Sequence, residues 1–82
     1  MISSANNPDK VKVTILGQVY TIEGDAPCDY IAKVASYVNQ KMEDVVNTIP
    51  HASSLQIAIL AALNIADELF QIKESEYMMS DE

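Results

Sequence analysis

Between Leu55 and Ile72 the chain carries an apolar segment too wide for a single covered face. With residues spaced by about 100° as in an α-helix, Leu55, Ile59, Ala62, Leu63, Ala66, Leu69 and Phe70 fall on one side. Ala58, Ala61, Ile65 and Ile72 widen the apolar arc to roughly 200°, and Ile57 and Leu60 lie outside even that. A helix so widely apolar has to be covered on more than one side. The chain has 82 residues, and a domain of this size buries only about 60% of the surface its unfolded chain exposes. Its single cysteine cannot form an internal disulfide staple. The pattern therefore predicts a second copy on the uncovered side, burying apolar area without adding chain.

Spacing indicates where that contact lies. Leu55, Ile59, Ala62, Ala66 and Leu69 follow the alternating steps of four and three of a coiled-coil seam, with small residues in its middle. Continued, the seam meets Lys73 and Glu76, so a coiled coil fades after Ile72. The expected oligomer interface is Leu55, Ile59, Ala62, Leu63, Ile65, Ala66, Leu69, Phe70 and Ile72. Asn64, within the densest apolar stretch, is either exposed on a narrow polar strip or a buried amide that fixes helix register in an oligomer.

The rest of the chain reads as α+β: an N-terminal two-stranded β-hairpin followed by two helices, the second longer and forming the dimer or coiled-coil interface. Residues 1 to 9 are polar and without period, which predicts a disordered tail. Residues 10 to 50 form a head. In it Val11, Val13 and Ile15 alternate with polar positions, and the alternation resumes from Val19 to Glu23. A Gly17-Gln18 turn would place Ile15 opposite Tyr20, Val13 opposite Ile22, Thr14 opposite Thr21 and Lys12 opposite Glu23. It also sets Leu16 against Val19 on the polar face, either incidentally or as a contact for something outside the hairpin. Asp25-Ala26-Pro27 opens a helix to about Thr48, with Asp25 as a capping-type acid, Pro27 in the first turn and Asp29 favouring the dipole. Its apolar face, from Ile31 to Ile49, is expected on the hairpin. Lys33, Ser36, Gln40, Glu43, Asp44 and Asn47 are expected outside. Pro50 ends the pattern, and Ser53 with Gln56 makes a capping box opening the oligomerisation helix, assigned to residues 51 to 74. Residues 75 to 82 read as a frayed acidic tail.

Composition excludes several functions. Five Lys and no Arg against twelve acidic residues give a net charge of −7. The lysines are scattered, so neither nucleic acid nor an anionic membrane surface is an expected partner. No stretch reads as a signal peptide or reaches membrane-spanning length, and the lone Cys28 suits a reducing compartment, so a cytoplasmic location is expected. His51 is the only histidine and follows Pro50 in a loop, where a solvated side chain is the simplest reading. Cys28 reads as a small residue of a first turn. No metal-ligand spacing, phosphate-binding loop or calcium loop occurs. Asp67 and Glu68, being adjacent, point in different directions and make a poor catalytic pair. The expectation is a non-enzymatic protein with no catalytic residues, cofactor or metal.

Three motifs at fixed separation carry a resemblance. They are Val13-Thr14-Ile15-Leu16-Gly17-Gln18-Val19-Tyr20-Thr21-Ile22, then Tyr30-Ile31-Ala32-Lys33-Val34-Ala35 with Val38-Asn39-Gln40-Lys41-Met42, and Leu60-Ala61-Ala62-Leu63-Asn64-Ile65-Ala66-Asp67-Glu68-Leu69. Over about residues 10 to 74 the chain resembles the ZapA family of bacterial cell-division proteins. The resemblance implies a homodimer joined through the second helix, able to form tetramers, that binds the tubulin-like protein FtsZ and bundles its filaments at the mid-cell division ring. It implies FtsZ contacts through charged head residues. With no Arg present, Gln18, Lys33, Gln40, Lys41 and Asp44 are the candidates here. The alternative is a dimeric interaction module of the same fold with another cytoplasmic partner.

Overall fold

The computed structural model describes residues 2–3 and 10–80, with side chains for residues 10–76. The described elements run β1 (Ile2–Ser3), β2 (Lys10–Ile15), β3 (Gln18–Gly24), α1 (Cys28–Thr48) and α2 (Ser54–Ser80). The expected fold class, a β-hairpin followed by two helices, is the one observed. The strands form an antiparallel sheet of order β1-β3-β2. Within the segment expected to be a disordered tail, Ile2 and Ser3 pair with Gly24 and Glu23. A free strand edge offers its N–H and C=O groups to any extended segment, so two residues with no apolar period can still add to it. The remainder of that segment lies outside the described residues.

The hairpin register differs from the expected one by a one-residue displacement of the turn. Observed partners are Lys10 and Glu23, Val11 and Ile22, Lys12 and Thr21, Val13 and Tyr20, Thr14 and Val19, and Ile15 and Gln18. The turn is therefore Leu16-Gly17, not Gly17-Gln18. Both turn residues have positive φ, 51° at Leu16 and 78° at Gly17, as in the primed turns that match strand twist. Because each strand keeps its alternation, the displacement leaves face assignment intact: Val11, Val13 and Ile15 still share a face with Ile22 and Tyr20. What changes is the fate of Leu16. Its N–H donates to Asn39 Oδ1 on α1 at 2.8 Å, and its side chain packs with Met42, Val46, Ala52 and Leu60 around buried Val45, Ile57 and Ala61. Core packing and a hydrogen bond offset the backbone strain of a bulky residue in the left-handed region.

The helix α1 begins at Cys28 after Pro27, which takes the N-cap position with extended ψ of 150° and no side-chain cap. Asp25 therefore does not cap the helix as expected, whereas Asp29 does lie in the first turn. Of the expected inward face, Ile31 and Val45 are buried, Val34, Ala35, Val38, Met42 and Val46 are half-buried, and Ile49 is exposed beyond the helix end. The anticipated capping box is present: Ser53 N donates to Gln56 Oε1 at 2.9 Å, and Gln56 N to Ser53 Oγ at 3.2 Å. From there α2 continues to Ser80, past the boundary set at residue 74. No glycine or proline interrupts residues 54 to 80, so the end of the apolar seam does not end the helix.

One expectation about α2 is overturned. Ser54–Glu76 is long and apolar enough to cross a bilayer by length and composition, whereas no stretch was expected to be. The difference arises because the dense run of Leu, Ile and Ala from Leu55 to Ile72 outweighs its two acids, Asp67 and Glu68, in mean hydropathy.

Candidate self-association and partner-docking surfaces

Side chains divide α2 into two apolar faces. The inner one is Ile57 and Ala61, both buried, with half-buried Leu60 beside them, meeting Val45 and Met42 of α1. These are residues that spacing alone set outside or at the margin of the apolar arc. The outer face stays open: Leu55, Ile59, Leu63, Leu69, Phe70 and Ile72 are all about half or more exposed. Ala62 is exposed and Ala66 half-buried among them, and Ile65 is half-buried at the border towards α1. Every residue of the expected oligomer interface therefore lies on the outer face or at its border. Asn64 is exposed and, by helical spacing, shares a side with Ile57, Ala61 and Glu68 rather than with the outer stripe.

The candidate partner residues fall into two groups. Lys33, Gln40 and Asp44 are exposed on the outer side of α1, and Gln18 is exposed at the start of β3. No described hydrogen bond or ion pair joins Gln18 to the other candidates; its Oε1 accepts from Tyr20 Oη at 3.3 Å. Lys41 differs. Its ammonium donates to Glu68 Oε2 on α2, while Tyr37 Oη donates to Glu68 Oε1. The Lys41 nitrogen also lies 5.2 Å from the centre of the Tyr37 ring. Tyr37 and Lys41 are one helical turn apart, so both reach the same carboxylate.

This cluster shifts its members in consistent directions. The hydrogen bond from Lys41, followed by that from Tyr37, holds the Glu68 carboxyl below the usual carboxylate range. The hydrogen bond to Glu68 in turn pushes Lys41 up and is the main cause of the rise at Tyr37. Tyr37 and Glu68 were missed as an interhelical pair in the sequence. Their signal is faint: an acid at the inward spacing of Ile57, Ala61 and Asn64, opposite a Tyr and a Lys one turn apart. Asp67, as expected for a neighbour, points elsewhere and accepts from Gln71 Nε2 at 2.8 Å.

Beside the cluster, a groove of about 520 Å³ opens between the helices, lined mainly by Tyr30, Lys33, Val34, Tyr37, Val38, Gln40 and Ile65. It joins the outer side of α1 to the border of the apolar stripe. His51 is exposed in the interhelical turn, and Cys28 is exposed at the start of α1.

Comparison with known proteins gives one answer. The family model described as cell division protein ZapA matches residues 11–82. A cell division protein ZapA from Shouchella clausii is 40% identical over 68 residues, covering 83% of this chain and 87% of that protein. One from Bacillus mycoides is 27% identical over 81 residues, covering 99% and 91%. Among solved structures, a ZapA mutant dimer from Geobacillus stearothermophilus superposes with a TM-score of 0.64 at 29% identity, covering 94% of this chain and 90% of that one.

Proposed function

Because the chain belongs to the ZapA family of cell division proteins, we propose that it is a non-enzymatic adaptor that binds FtsZ and bundles its filaments at the mid-cell division ring. The observation that carries the bridging part is the open outer face of α2. Six large apolar side chains exposed on one helix are what a homodimer covers, and the related structure from Geobacillus stearothermophilus is a dimer. Two heads in one particle turn weak single contacts into strong cross-links, because the second contact forms at high effective concentration.

Membrane insertion is the competing use of an apolar helix, and the acids oppose it. Asp67 and Glu68 fall near the middle of Ser54–Glu76, where an acidic residue costs about 2.5–3.5 kcal/mol in a bilayer. A second copy covers the apolar stripe without taking either acid out of water. The adaptor reading accordingly places the protein in the cytoplasm.

On the head, Lys33, Gln40 and Asp44 on the outer side of α1, with Gln18 at the hairpin, are the candidate FtsZ contacts. Lys41 serves less directly, since Glu68 already holds its ammonium.

The test is sedimentation of FtsZ polymerising with GTP. Adding the protein should increase the pelleted bundles, and Lys33→Glu should weaken that increase while leaving the protein's own sedimentation unchanged. No increase at any concentration up to stoichiometric would remove FtsZ as the partner and leave a dimeric module of another cytoplasmic protein, to be sought by pulldown.

A further inference from the structure

We infer that Tyr37, Lys41 and Glu68 form a latch that sets the angle between α1 and α2, and so the direction in which each head projects from the oligomerisation helix. The buried contacts between the two helices lie near their connection, where Val45 meets Ile57 and Ala61. Glu68 stands seven residues further along α2 than Ala61, about 10 Å at 1.5 Å per residue. Between the core and the start of α1 no buried side chain of α2 continues the packing, and the groove of about 520 Å³ opens there, lined by Val34 and Val38 of α1 and Ile65 of α2. Apolar packing thus fixes the closed end of the helix pair, and the open end is held by the hydrogen bonds and ion pair to Glu68. Among the described residues, no other hydrogen bond or ion pair between side chains joins α1 to α2.

The arrangement specifies direction as well as attachment. Each Glu68 oxygen takes one donor, from two side chains fixed one turn apart on α1. A carboxylate held at both oxygens resists sliding and rotation of α2 against α1 more than a single ion pair does. Lys41 is mostly covered and Glu68 more open, with side-chain exposures of 20% and 37%. Solvent reaches the latch, and it borders the groove and the outer side of α1. Tyr37, Lys41 and Glu68 are positioning residues: they act on how the heads are aimed.

The test reads the interhelical geometry in the assembled protein. Native Cys28 is exposed at the start of α1, and Ser75→Cys adds a second label position on exposed α2 surface. Doubly spin-labelled chains are diluted into unlabelled protein so that each oligomer carries one labelled chain. Electron–electron resonance then gives the Cys28-to-75 distance distribution. In this background the distribution should be narrow; Glu68→Gln and Tyr37→Phe should each broaden it and shift it to longer distances, with sedimentation unchanged. Exchanging the charges, Lys41→Glu with Glu68→Lys, should narrow it again. A Glu68→Gln distribution with the same centre and width as the parent overturns the inference. If Glu68→Gln loses its helical circular-dichroism signal, Tyr37→Phe, which removes one hydroxyl, decides by the same criterion. Neither FtsZ nor filaments enter the measurement, so its failure is separate from failure of the adaptor reading.

Discussion

Leu16 is held in a conformation that its side chain disfavours, with φ at 51°. A residue with a Cβ in the left-handed region costs roughly 1–2 kcal/mol, and it persists where its surroundings over-determine it. Here two attachments do so: the Asn39 hydrogen bond to Leu16 N and the packing of the Leu16 side chain on the Val45, Ile57 and Ala61 cluster. Removing the first tests the account. Asn39→Ala leaves a part-buried N–H without its partner and should lower unfolding free energy by about 1–3 kcal/mol, measured by urea denaturation at fixed protein concentration. An effect below a few tenths of a kcal/mol would mean that water replaces the amide at no cost. The hairpin was legible in the sequence as alternation, and face assignment survived because it depends only on parity. The turn position was not legible. Gly17 suits either turn, and the choice is made by a contact with residues 23 and more positions away, which no local pattern records.

At the scale of the helix, α2 shows why a wide apolar arc is ambiguous. Spacing identified the segment, its capping box and the residues of the outer stripe. It could not say which part of the arc turns inward, because helix, hairpin and second copy all select for the same residue types. The core choice fell on Ile57, Leu60 and Ala61, and the more regular seam stayed outside. This division makes Ala62 a clean probe, since it is exposed and has no part in the protomer's core. Ala62→Asp should leave the head folded and weaken self-association, because each copy brings an unpaired charge to the interface, and burying one costs about 3–5 kcal/mol, at least roughly two to four decades in dissociation constant. Analytical ultracentrifugation across micromolar concentrations reads the shift. A wild type that sediments as a monomer throughout that range would overturn the assignment of the outer stripe.

Taken whole, the described protomer has a small core: among the described residues only Val13, Ile31, Val45, Ile57 and Ala61 are buried apolar side chains, and the outer stripe of α2 stays open. Such a molecule relies on few contacts for its internal geometry, so the charge state of the Glu68 cluster becomes a property of the whole particle. Its pH dependence follows from the direction of each shift. Glu68 has a lowered value in the folded protein, so its contribution is complete above the unfolded carboxylate value of about 4.3 and is lost as pH falls through the lower folded value. Lys41 and Tyr37 have raised values, so theirs are complete below about 10.4 and about 10 and are lost as pH rises through the higher folded values. Between these limits the cluster is intact. The difference in melting temperature between the wild type and Glu68→Gln should therefore be flat through neutral pH, shrink on the acid side below the ordinary carboxylate range, and shrink again in strong alkali. High salt should reduce it throughout, since the ion pair is partly open to solvent. A difference that stays constant from neutral pH down through the carboxylate range would show that Glu68 acts through its shape and not through its charge, and would move the basis of the head orientation from the ion pair to the Tyr37 hydroxyl.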